Sequence, residues 1–162
     1  MKQIDKKTQL TADDLVLCAR VIPAVQLRFT VELTQGEEGE HFKQVLKNIA
    51  DTYRKINTDD ELVNKNGSHN VGFHYFLGST DIFISQIYKD GIGFGYSVLN
   101  GDCEMSEWGD IDINDIKRIP FIEMDYYVPK GKTIEKMLYE KHPDYFPKPK
   151  EKTRKKEINT RG

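Results

Sequence analysis

The chain has 162 residues, of which 38% are hydrophobic and 31% charged, and its formal net charge is −2. These values fit one folded domain, and two cysteines are too few for a disulfide framework. No apolar run is long enough to cross a bilayer, and the N-terminus lacks the apolar segment of a signal peptide, so we expect a cytoplasmic protein without a membrane partner. We predict a single domain at residues 1–147 and a flexible basic tail at 148–162.

The first third of the sequence predicts a short helix, a strand and a long helix. Thr11 is a typical helix N-cap, and the helix after it is expected to end near Ala19, with Pro23 blocking any longer helix. Residues 25–33 alternate between apolar and polar side chains, the pattern of a half-buried strand, and the apolar set is Val25, Leu27, Phe29, Val31 and Leu33. Residues 40–56 carry apolar side chains at helical spacing and predict an amphipathic helix.

The rest of the chain predicts mainly strands joined by turns. Extended segments are expected at residues 71–77, 81–88, 92–99, 108–113 and 119–128. The turn at residues 89–91 closes a hairpin between the second and third of them. Helical turns are predicted near 59–63 and at 114–118, and Thr133 caps a last helix that Pro143 stops.

The strand pattern predicts an α+β fold. Residues 71–77 and 81–88 are apolar on both faces, which is typical of strands in the middle of a covered sheet. Short hairpin connections make the sheet mainly antiparallel. We therefore expect a mainly antiparallel sheet of about five strands covered by two or three helices, with the helix at 40–56 and the C-terminal helix as the covers.

Six short motifs follow one another within residues 71–138. They are His74-Tyr75-Phe76, Lys89-Asp90-Gly91, Phe94-Gly95-Tyr96, Glu107-Trp108-Gly109, Ile113-Asn114-Asp115-Ile116 and Ile122-Glu123-Met124-Asp125. This run resembles a family of small bacterial proteins of unknown function that are often encoded on plasmids and other mobile elements. The family's Trp-rich strand is replaced here by residues 82–84. The resemblance implies a bacterial mobile-element setting and supplies no catalytic residues.

An acidic run is the strongest local candidate for chemistry, and it comprises Asp102, Glu104, Glu107, Asp110, Asp112 and Asp115. Carboxylates bind Mg²⁺ or Ca²⁺, and His74 on a predicted central strand is a candidate general base. The spacing fails as a calcium loop, because Asp115 stands where glycine is required and Phe121 where glutamate is required. We expect no metal site and no cofactor, and we interpret the run as a solvated turn and strand edge.

Small residues share one face of the predicted strand at 92–99. Gly93, Gly95 and Ser97 would leave a shallow groove there, and glycine inside a strand suggests close approach of a backbone or a ligand. We expect one of the protein's own helices to fill the groove; the alternative is a site for a partner or ligand. Trp108, on the next predicted strand, is a further candidate binding residue.

The tail is the only strongly basic segment, with seven Lys or Arg and two Glu in residues 148–162. The residues that could contact nucleic-acid phosphates are Lys152, Arg154, Lys155 and Lys156. The alternative interpretation is a solvating tail, because no aromatic residues alternate with the charges.

Two functional hypotheses follow from the sequence. The first is a non-enzymatic interaction or accessory protein of a bacterial mobile element or phage, with another protein as its partner. The second is a metal-dependent enzyme acting on nucleic acid, with Asp110, Asp112 and His74 as its catalytic groups. The sequence carries no information on oligomeric state.

Overall fold

A computed structural model describes residues 9–150, so the predicted flexible tail beyond residue 150 and its candidate residues Lys152, Arg154, Lys155 and Lys156 lie outside the described residues. The helices in this part are α1 (Ala12–Val21), α2 (Ala24–Leu33), α3 (Gly39–Ile56), α4 (Ile113–Lys117) and α5 (Ile134–Lys141). The strands are β1 (Phe73–Leu77), β2 (Thr80–Ile87), β3 (Gly93–Val98), β4 (Glu107–Ile111) and β5 (Glu123–Met124). Among residues 9–150, no helix combines the length and apolar character needed to cross a bilayer.

The strands form one antiparallel sheet in the order β4-β3-β2-β1-β5. β2 lies in the middle and is buried along almost its whole length, as its apolar character on both faces predicts. The α+β fold and the mainly antiparallel sheet of five strands are therefore confirmed. Because opposite residues of paired strands project from the same side, the register assigns each side chain to one of two faces.

One face of the sheet packs against α1 and α3. Tyr75 at its centre is fully buried, and its hydroxyl donates a 2.6 Å hydrogen bond to the backbone oxygen of Val21. Cys18 on α1 is buried in the same core, where burial raises the pKa of its thiol to about 12. Such a thiol is protonated at neutral pH and serves as a small apolar side chain.

The opposite face is covered by α5. Ile134 and Leu138 pack on Phe83, Tyr96 and Val98 of β2 and β3. The two predicted covers, α3 and the C-terminal helix, thus lie on opposite faces of the sheet, and β2 is enclosed between them. Thr133 caps α5 as predicted, since its hydroxyl accepts a hydrogen bond from the Lys136 backbone N–H.

A capping box at the start of α1 also joins that helix to α3. The Asp14 backbone N–H donates to the Thr11 hydroxyl at 3.1 Å, and the Thr11 N–H donates to the Asp14 carboxylate at 3.0 Å. The same buried carboxylate pairs with Arg54 at 2.7 Å and Lys47 at 3.4 Å, both on α3. Burial alone would raise the pKa of Asp14, but the bonds to Thr11, Arg54 and Lys47 lower it to about 2 from an ordinary 3.8.

We expect Asp14→Asn to lower the free energy of unfolding at neutral pH by about 1–2 kcal/mol, because it removes a charged acceptor from a buried network. A carboxyl group whose pKa is lower in the folded protein stabilises the fold at pH values above its ordinary pKa. This contribution is lost as the pH falls towards the pKa of the folded state. The difference between wild type and variant should therefore shrink from pH 4 to pH 2. Urea unfolding at a series of pH values measures it; a pH-independent difference would contradict the assigned role of the charge.

The strand predicted at residues 25–33 is wrong, because these residues form helix α2. Alternation with period two also places apolar residues four apart, so Val25, Phe29 and Leu33 form a stripe on a helix as readily as a row on a strand. Pro23 does end α1 and separates it from α2, although α1 continues to Val21 rather than Ala19. What decides between the two structures is the set of contacts that α2 makes with the sheet.

Two further expectations differ from the structure. Residues 59–63 form no helical turn; Gln86 of β2 instead binds the backbone there, donating to the oxygens of Thr58 at 2.6 Å and Asp60 at 2.9 Å. The segment predicted to be extended over 119–128 contains only the two-residue strand β5, at the sheet edge. The other strands and the helices α3, α4 and α5 begin and end within two residues of the predicted positions.

Candidate functional site

Helix α2 contacts the sheet through polar side chains. The Gln26 side-chain amide donates to the Met124 backbone oxygen at 2.9 Å and accepts from the Met124 backbone N–H at 2.7 Å. This reciprocal pair satisfies both free backbone groups of an edge residue on β5. One turn further on, the Thr30 hydroxyl lies 2.8 Å from the Tyr126 hydroxyl.

The Thr30 contact has a defined direction. Thr30 donates its own proton to the backbone oxygen of Gln26 at 2.8 Å, so the Tyr126 hydroxyl is the donor in the bond between the two side chains. Burial raises the pKa of Tyr126 to about 12, which keeps that proton in place at neutral pH. The inward face of α2 therefore contacts the sheet mainly through satisfied hydrogen bonds. Leu27 is its apolar contact with the main core.

The exposed surface of α2 carries an apolar stripe beside the charged residues Arg28 and Glu32. Val25, Phe29 and Leu33, which we call the α2 stripe, are 58%, 62% and 47% exposed. Their spacing of four residues places them on one side of the helix. An amphipathic surface helix normally turns such a stripe to the core, whereas here polar Gln26 and Thr30 face inward and the apolar stripe faces solvent.

Phe121 adds a second exposed aromatic residue near the same region. It is 89% exposed and has a backbone φ of +68°, a conformation that non-glycine residues rarely adopt. It lies three residues before Met124, which α2 binds, so its Cα is within about 11 Å of that contact. A large apolar side chain held outward on a strained backbone suggests a function rather than a packing role.

The candidate base His74 lies in a buried polar network beneath α5. Its Nε2 is 2.7 Å from the Asp81 carboxylate, its Nδ1 is 3.3 Å from the Asp125 carboxylate, and its ring stacks on Phe83 at 4.5 Å. Lys141 of α5 also donates to Asp81. Burial alone would raise the pKa of Asp81, but the His74 and Lys141 bonds lower it. The network fastens α5 to the sheet and leaves His74 largely closed to solvent.

The structure does not bring the predicted catalytic groups together. Asp110 lies on β4 and His74 on β1, so three strand spacings, at least about 14 Å, separate them. The Asp112 carboxylate is the N-cap of α4 and accepts from the Asn114 N–H at 2.9 Å. Between residues 9 and 150, no three His, Cys, Asp or Glu side chains converge as a metal ion would require.

The predicted groove is closed at Gly95. A Cβ at this position would lie 1.7 Å from the Phe83 backbone oxygen and 3.0 Å from the Ile84 Cα. The cause is a β-bulge, since Ile84 pairs with Gly95 and Gln86 with Phe94, which leaves Ser85 as the extra residue. The close approach that the glycine predicted is thus made by the neighbouring strand and not, as expected, by a helix.

The other candidate binding residues do not form one site. A Cβ at Gly93 would meet the side chains of Ile84 and Ile113, and Ser97 is half-buried opposite Glu107. Trp108 pairs with Tyr96 and so projects from the other face of the sheet. It stacks there on Phe94, with ring centroids 5.8 Å apart, and contacts His69 at 4.4 Å.

An open cleft of about 680 Å³ lies between α3, residues 61–64 and residues 124–131. Its walls carry both Lys55 and Lys130 and both Asp51 and Glu61, so no single ligand charge is favoured. Ser85 at its base already donates to the Phe94 backbone oxygen at 3.2 Å. The cleft has the size of a typical ligand site, but its lining residues do not provide the convergent, unsatisfied polar groups that select a ligand.

Comparisons of the chain with protein-family models, with curated proteins and with solved structures find no match. Functional assignment therefore rests on the surface itself. Sequence reasoning missed the α2 stripe because the alternation of residues 25–33 predicts a strand. The sequence does contain one indication of the helix. Gln26 and Thr30 are polar residues one helical turn apart, and they lie beside an apolar stripe that has the same spacing of four residues.

Proposed function

We propose that this protein is a non-enzymatic interaction module that binds another protein chain through the α2 stripe, with the exposed Phe121, two residues before β5, as a further candidate contact. The observation that carries the proposal is the orientation of α2, which turns its hydrogen-bonding side chains to the sheet and Val25, Phe29 and Leu33 to solvent. Burying such side chains in an interface would stabilise a complex by roughly 1.5–3 kcal/mol each before the cost of association.

The sequence of α2 also allows an orientation in which the apolar stripe faces the core. The structure has the opposite orientation, and this supports the proposal. Rotating α2 by about a quarter of a turn would bury the stripe but break the reciprocal bonds between Gln26 and Met124, leaving the backbone of edge strand β5 unsatisfied. Exposed aromatic side chains next to apolar ones are typical of protein-binding surfaces. The mobile-element or phage setting is part of the same proposal and rests on the resemblance within residues 71–138.

We expect Phe29→Lys to abolish capture of the partner protein from the native host while changing the free energy of unfolding by less than about 0.5 kcal/mol. The side chain is exposed in the free protein, so a lysine is accommodated, but a charge in the centre of an apolar interface opposes binding. Affinity purification with quantitative mass spectrometry, together with urea unfolding, measures both effects.

Leu99→Lys is the matched control, because Leu99 is 52% exposed and lies after β3, outside the α2 stripe. This variant should retain the captured protein. Loss of capture by both variants would indicate non-specific apolar binding, and retention by both would rule out the α2 stripe as the binding surface.

A further inference from the structure

We propose that the α2 stripe binds a second copy of this chain, with the two α2 helices packed antiparallel across a two-fold axis near Phe29. This inference rests on the proposed function of the stripe and identifies its partner. Two-fold dimers use the same patch on both subunits, so the patch must be self-complementary. The α2 stripe meets this condition in both shape and charge.

The apolar residues are symmetric about the centre of the helix. Val25 and Leu33 lie one turn to either side of Phe29. In an antiparallel pair with the axis between the levels of Phe29 and Thr30, the two Phe29 rings meet, and Val25 of each chain lies within about 1.5 Å along the helix of Leu33 of the other. At each end of the central Phe29 pair, Val25 of one chain and Leu33 of the other, two aliphatic side chains of similar size, therefore pack together.

The charged residues beside the stripe are symmetric about Thr30, one residue or about 1.5 Å along the helix from the centre of the stripe. Arg28 and Glu32 are both exposed and lie one turn apart on one flank of the stripe. Neither forms an ion pair with any other residue in the described part of the chain. An antiparallel two-fold places this flank against itself in reverse, and with the axis between the levels of Phe29 and Thr30 each Arg28 lies within about 1.5 Å along the helix of Glu32 of the second copy. A parallel pair would lack this match.

The expected dimer is weak. α2 has ten residues and is about 15 Å long, so the helix pair buries less than a standard protein interface. Interfaces of this size belong to transient complexes. Sedimentation equilibrium of the full chain should therefore show a monomer–dimer equilibrium in the micromolar range.

Charge reversal gives the decisive test. Arg28→Glu and Glu32→Arg should each place like charges opposite one another and raise the dimer dissociation constant by at least about tenfold. When the two variants are mixed, the flank of one chain carries two carboxylates and the flank of the other carries two guanidinium groups. Every introduced charge then faces an opposite charge, so a mixed dimer should form at least as readily as the wild-type dimer.

The double variant Arg28→Glu/Glu32→Arg restores the opposite charges within a single chain and should also dimerise. All of these substitutions are on the surface and are expected to leave the fold intact, which circular dichroism verifies.

The outcomes separate this inference from the proposed function. Failure of the mixed variants to associate, or a dimer that Phe29→Lys leaves unchanged, would overturn the antiparallel arrangement. A wild-type chain that stays monomeric at high micromolar concentration would overturn the second copy as partner. If Phe29→Lys nevertheless abolished capture of a different protein, the interaction surface would stand and only its occupant would change.

Discussion

Gly95→Ala is expected to lower the free energy of unfolding by about 3 kcal/mol or more, near the upper end of the range for single substitutions. The added Cβ would lie 1.7 Å from the backbone oxygen of Phe83 and 2.7 Å from its carbonyl carbon. Backbone atoms in the centre of a sheet cannot move aside as a flexible side chain can, so the strands or the bulge must shift. Gly95→Leu should be at least as destabilising. Urea unfolding followed by circular dichroism measures the effect.

Gly109→Ala is the matched control. Gly109 pairs directly with Gly95 across β3 and β4, but a Cβ there would meet no atom within 4 Å. This variant should be as stable as wild type or slightly more stable, because alanine loses less backbone entropy on folding than glycine. Equal stability of the two alanine variants would show that strand β2 does not approach Gly95 as closely as described.

Asp81→Asn is expected to destabilise the protein by about 3 kcal/mol at neutral pH. Asp81 is buried and accepts hydrogen bonds from His74 and Lys141, so the neutral amide would weaken the bond from His74 and leave Lys141 without this counter-charge. The cost should appear as loosening of α5, which Lys141 attaches to the sheet. Hydrogen exchange of the α5 amides, measured with the global unfolding free energy, would report that local effect.

The pH dependence gives an independent check. Because the folded-state pKa of Asp81 is lowered, its ionised form stabilises the fold above the ordinary carboxylate range, and this stabilisation is lost as pH falls through the lowered value. The gap between wild type and Asp81→Asn should therefore be largest near neutrality and close in acid. Asp110→Asn, at an exposed carboxylate on β4, should change stability by less than about 0.5 kcal/mol at neutral pH. If Asp81→Asn and Asp110→Asn changed the free energy of unfolding equally, the buried network around Asp81 would not stabilise the fold more than an exposed carboxylate does.

Patterns with only one physical interpretation were predicted well from the sequence. The apolar stripe of residues 40–56 extends over about five helical turns, which no strand could use, and it became α3. Residues 81–88 are apolar on both faces, have the length of a strand and are followed by a hairpin turn, and they became the central strand β2. The N-caps Thr11 and Thr133 depend on local hydrogen bonds alone, and both are present. These elements suffice to define an α+β fold.

The candidate site depended on contacts between residues far apart in the chain. Residues 25–33 fit both a strand and a helix, and what favours the helix is the Gln26 side chain bound to the backbone of Met124, 98 positions away. Gly95 indicated a close approach, but the Ser85 bulge that causes it is visible only once β2 and β3 are paired. Local sequence thus determined which segments form regular structure, whereas tertiary hydrogen bonds to an otherwise unsatisfied sheet edge decided which face of α2 is exposed.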